Sequence, residues 1–68
     1  MSLRITFPMR LKQLRETRGL TQAALARKTK LSLGYVARLE QGRHDPPLST
    51  LEKLARALKT TVGKLVKV

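Results

Sequence analysis

The sequence has no cysteine and no tryptophan, one phenylalanine, one tyrosine and four acids. Without cysteine there is neither a disulfide framework nor a thiolate metal site, and the chain suits a reducing cytoplasm. With Phe7 and Tyr35 as the large aromatics, a core must be built from Leu, Val and Ala. No apolar run approaches the roughly 20 residues of a membrane span, and no signal peptide is visible. The acids are Glu16, Glu40, Asp45 and Glu52, and none has an evident partner acid or metal ligand. There is no glycine-rich phosphate loop. Ser32 and Ser49 are better explained as helix caps than as nucleophiles. Catalysis, a cofactor and a bound metal are therefore not expected.

Positive charge is abundant. Fifteen Lys and Arg against four acids give a net charge of +11 over 68 residues. Such a surface is drawn to polyanions by counterion release, which leaves nucleic acid, anionic membrane and acidic protein partners open. The length allows one small domain. At 41% hydrophobic residues it has enough for one helical core and too little for an enclosed substrate cleft beside it.

The chain is organised around Thr21 to Gly42, TQAALARKTKLSLGYVARLEQG. Thr21 is a good N-cap, and strong helix formers follow from Gln22 to about Lys28. Leu31 is apolar and out of helical register. Ser32 is a second N-cap, opening a helix from Leu33 to about Gln41 that stops at Gly42. Leu25, Val36 and Leu39 are expected to face inward. Ala26 is small where a second helix must cross closely.

Upstream, Leu3, Ile5 and Phe7 alternate with polar residues. That pattern fits a frayed arm with Phe7 tucked under the core, or a strand pairing with the same segment of a second chain. Pro8 suits a first helical turn, so a helix is expected from Met9 to about Thr17, ending near Gly19. Downstream, Pro46 and Pro47 interrupt the chain. A stripe of Leu48, Leu51, Leu54, Ala55 and Leu58 then marks a fourth helix. Thr61 caps a short fifth, with Val62 and Leu65 inward. Val66 and Val68 are left over.

The pattern from about Leu11 to Leu65 resembles the helix-turn-helix of the lambdoid phage repressors and their bacterial relatives, the Xre family. Gln22, Leu25-Ala26, Val36 and Leu39-Glu40 carry the resemblance. It implies an all-α, five-helix, lambda-repressor-like fold, with residues 1–7 as an N-terminal arm and 8–68 as the DNA-binding domain. It implies an ion pair between Arg15 and Glu40, against the plainer reading of Arg15 as solvated. It also implies that Lys30 occupies a turn position where relatives use Gly in a left-handed conformation, at a cost of roughly 1 kcal/mol.

In such domains the second helix of the motif enters the major groove and the first lies across the backbone. With Val36 and Leu39 inward, Leu33, Gly34, Ala37, Arg38 and Gln41 face outward by helical spacing. Arg38 can offer two donors to guanine or a charge to phosphate, and Leu33 and Ala37 can meet thymine methyls. Gly34 lets the helix approach closely. Gln22, at a helix N-terminus, looks like a phosphate ligand by resemblance; alternatively it faces solvent. Ser32, Arg43 and His44 belong to the same expected surface. Tyr35 can reach a phosphate or pack between helices, and Lys30 can approach DNA or be solvated. His44 lacks any second ligand and reads as a surface residue near phosphate, not a metal site.

The expected function is sequence-specific binding of double-stranded DNA as a transcriptional regulator. With no effector domain in the sequence, control would come from operator occupancy, dimerisation through the terminal segments, or a protein partner. The alternative is an antitoxin-like or adaptor module. A basic membrane-surface peptide fits poorly with so many capping and turn signals.

Overall fold

Hydroxyls start three of the helices. Thr21, Ser32 and Thr61 hold extended backbone, and their side chains accept from the amides of Ala24, Tyr35 and Lys64 at 3.0, 3.0 and 3.2 Å. Each such cap contributes about 1 kcal/mol. The computed structural model describes residues 3–66, with side chains from Thr6 onward. The helices are α1 (Leu3–Thr17), α2 (Gln22–Thr29), α3 (Leu33–Glu40), α4 (Leu48–Ala57) and α5 (Val62–Leu65), and no strand occurs among the described residues. Helix α4 starts differently: Pro47 is its N-cap and makes no side-chain cap bond.

Four helices stop in the same way. Gly19, Lys30, Gly42 and Lys59 have φ of 70°, 61°, 74° and 54°. In each case the following amide reaches back across the last turn: Leu20 to Arg15, Leu31 to Ala26, Arg43 to Arg38 and Thr60 to Ala55, at 2.9–3.1 Å. These bonds satisfy carbonyls that a helix end would otherwise leave open. Two of the four left-handed positions are Lys, so the expected strain at Lys30 recurs at Lys59.

The core follows from the helical stripes. Phe7 and Leu11 from α1 meet Leu25 and Ala26 from α2, Val36 and Leu39 from α3, Leu51, Leu54 and Ala55 from α4, Leu58, and Leu65 from α5. Helix α3 packs on α1 and α2, α4 on α2 and α5, and α5 on α1. The small Ala26 and Ala55 give little side-chain bulk on α2 and α4.

Four expectations need correction. Ser49, read as a helix cap, lies inside α4, whose N-cap is Pro47. The arm expected over residues 1–7 is helical from Leu3, and Pro8 lies inside α1 instead of opening it. Phe7 and Leu11 are both buried and four residues apart, so Phe7 must be helical to share that face. The helix then forgoes the one bond that Pro8 cannot donate to the Arg4 carbonyl. Leu48 is 62% exposed: it has the right angle on α4 but sits at the first position, beyond the edge of the core. Val66 is not left over, because it packs partly buried against the core. The side chains of Leu3 and Ile5, and all of Val68, lie outside the described residues.

Candidate nucleic-acid interface

Helix α3 buries Val36 and Leu39 completely, which fixes its rotation. Leu33, Gly34 and Arg38 are then exposed, Ala37 is half-buried, and Gln41 is the exposed C-cap. No acid lies on this outward face. Ser32 is exposed but its hydroxyl already caps the helix. Tyr35 is half-buried and packs against the core.

The end of α3 is anchored from two directions. Arg15 donates from Nε to Glu40 Oε2 at 2.6 Å and from Nη2 to Oε1 at 3.1 Å. Its Nη1 donates to the Leu20 carbonyl at 2.7 Å. The hydrogen bond to Glu40 is the main reason the guanidinium is held even more firmly protonated than an ordinary arginine, outweighing its burial, with the charges of Glu40 and Glu16 adding to the effect. Gln22, first residue of α2, donates from Nε2 to Glu40 Oε1 at 3.1 Å. The carboxylate therefore joins α1, α2 and α3. Gln22's amide nitrogen is engaged inward, which directs its oxygen away from that carboxylate.

The outward side of α3 carries a second cluster that the sequence did not announce. Arg38 Nε donates to His44 Nε2 at 3.0 Å. The His44 ring lies against Tyr35, with centroids 5.9 Å apart and planes tilted by 43°. A Cβ at Gly34 would stand 3.3 Å from Arg38 Nη1. The guanidinium is thus laid back along α3 toward its N-terminal end, over the residue that has no side chain. Gly42, in the left-handed conformation, turns the chain so that His44 returns beside the helix. Arg43 is exposed, 3.4 Å from Gln41 Oε1 through Nη1.

Lys30 does not join this group. It lines a cleft of about 320 Å³ with Lys28, Thr29, Lys53, Arg56 and Ala57, between the C-terminal parts of α2 and α4. No acid lines that cleft. Spacing along the chain does not show this cleft, because the approach of Lys53 and Arg56 to Lys28 and Lys30 depends on α2 crossing α4. No cluster of three or more His, Asp or Glu suited to a metal occurs among the described residues. No helix among them is long and apolar enough to cross a membrane.

The helix-turn-helix domain family matches residues 8–66. The immunity repressor protein of Bacillus phage phi105 is 45% identical over 62 residues, covering 91% of this chain and 43% of the repressor. The HTH-type transcriptional regulator DdrOP3 of Deinococcus deserti is 40% identical over 57 residues, covering 84% of this chain and 44% of that protein. The chain therefore spans less than half the length of these two curated relatives. Among solved structures, the restriction-modification controller protein C.AhdI from Aeromonas hydrophila superposes with a TM-score of 0.88. It is 35% identical, with 91% of this chain and 94% of the controller covered.

Proposed function

The chain belongs to the helix-turn-helix domain family, and on that premise we propose that it binds double-stranded DNA sequence-specifically as a transcriptional regulator. Helix α3 enters the major groove, and the start of α2 lies over the phosphate backbone. The observation that carries this reading is the outward face of α3, which is free of acids and directs the Arg38 guanidinium toward the helix's N-terminal end. In recognition helices that end meets the base edges. The similarity to an immunity repressor and to transcriptional regulators supports the same reading, as does the net charge of +11.

Gln22, Ser32, Arg43 and His44 border the phosphates, while Leu33, Gly34, Ala37, Arg38 and Gln41 face the bases. Tyr35 supports His44. The protein acts in the cytoplasm, as two copies on one site.

Selection of bound duplexes from a random pool tests the function. Enrichment of one common motif is the expected result. Equal retention of all duplexes would leave a non-specific polyanion binder, and no retention would remove DNA as the ligand.

A further inference from the structure

We propose that His44 is a specificity-determining positioning residue, which fixes Arg38 to read a guanine. The inference rests on the DNA-binding reading above. It starts from the donor inventory of the two side chains. Arg38 Nε donates to His44 Nε2 at 3.0 Å. A nitrogen that accepts carries no proton, so the imidazole is neutral with its proton on Nδ1. Arg38 is then left with the two terminal nitrogens. Nη1 and Nη2 form the fork that matches O6 and N7 of guanine.

Three neighbours hold that fork in place. The Tyr35 ring, anchored against the core, backs the His44 ring at a centroid distance of 5.9 Å. Gly34 leaves the lane along which Nη1 lies, since a Cβ there would approach to 3.3 Å. Gly42, at φ 74°, returns the loop to the helix. An arginine free at Nε can swing between base and phosphate. An arginine fixed at Nε pays less ordering entropy on binding and presents one edge.

The test compares the selected duplex with its variant in which the guanine read by Arg38 is replaced by adenine. For the unaltered protein the affinity ratio should be roughly 5- to 150-fold. His44→Gln keeps an amide oxygen that accepts from Arg38 Nε and should retain the ratio. His44→Ala should lower the ratio without changing the melting temperature. In the free protein, the Arg38 Nε–H nuclear magnetic resonance should shift on His44→Ala and stay near its place on His44→Gln. An Nε–H signal indifferent to His44→Ala overturns the inference whatever DNA does. So does a ratio that ignores His44, and that result leaves the DNA-binding reading standing. Failure to select any duplex would sink that reading and this inference together.

Discussion

Arg15 and Glu40 are 25 residues apart in sequence and meet through two parallel hydrogen bonds of 2.6 and 3.1 Å, with side chains only 10% and 4% exposed. A pair this enclosed is worth little against a well-packed apolar substitute, but breaking it from one side leaves a charge without a partner. Glu40→Ala should cost roughly 3–5 kcal/mol, because Arg15 stays charged. The double change Arg15→Met with Glu40→Leu should cost far less. Urea melts of the three proteins measure this. A loss of about 1 kcal/mol or less for Glu40→Ala would mean the pair behaves as an exposed one.

The parts legible in sequence were those written in one or two adjacent residues. Thr21, Ser32 and Thr61 are hydroxyls at helix starts, and Gly19 and Gly42 are glycines just past helix ends. The burial of Val36 and Leu39 follows from helical spacing alone. Where two regions must meet, the sequence said less. The Arg15–Glu40 pairing was drawn from resemblance, and nothing in the spacing singles out Glu40. Arg38 and His44 are six residues apart, and their contact depends on the left-handed turn at Gly42. Leu48 has the correct angle on its helix, but periodicity does not say where a core ends. Leu3 to Phe7 alternate with a period of two, and only the docking of Phe7 beside Leu11 makes them helical.

Lys30 and Lys59 hold left-handed backbone at φ of 61° and 54°. That conformation costs an ordinary L-residue roughly 1–2 kcal/mol. Glycine avoids it but loses more entropy on folding, by about 0.5–1 kcal/mol. Lys59→Gly and Lys30→Gly should each stabilise the domain by a net amount of about 0.5–1 kcal/mol. Thermal melts at fixed ionic strength would show it, and a lower melting temperature would mean that each lysine makes compensating contacts.

Salt dependence separates the two positive regions. Each phosphate neutralised on duplex DNA contributes a log–log slope of about −0.9. Arg43→Gln should reduce the slope by about one such unit. Lys53→Gln and Lys30→Gln remove equal charge from the cleft between α2 and α4 and should leave the slope nearly unchanged. Equal effects from all three would point to a diffuse cloud of charge in place of a defined face.

One α3 covers one half-site, and two modules in such proteins sit about one helical turn of DNA apart, roughly 34 Å. Sedimentation on the selected duplex should give two chains per site, and the selected motif should contain two related halves at that spacing. A single chain per duplex at high concentration, with an undivided motif, would rule out the pair.

Gly34 sets stability against recognition. Glycine inside a helix is about 1 kcal/mol less favourable than alanine, so Gly34→Ala should stabilise α3. The added methyl meets Arg38 Nη1 at 3.3 Å. That atom is the tip of a flexible side chain, so a shift of a few tenths of an ångström relieves the contact at little cost. The net effect is a gain of up to about 1 kcal/mol, seen as a rise of roughly 4–8 °C in melting temperature for a domain this small. The displaced guanidinium no longer lies in its lane, and the methyl thickens the face that approaches the groove. Affinity for the selected duplex should fall several-fold while affinity for unrelated duplexes changes little. Melting curves and binding isotherms on the same preparation would read both effects. A lower melting temperature would show that the contact forces the backbone to move. A raised one with undiminished discrimination would show that neither the lane over Gly34 nor a bare helix face is needed for reading the site.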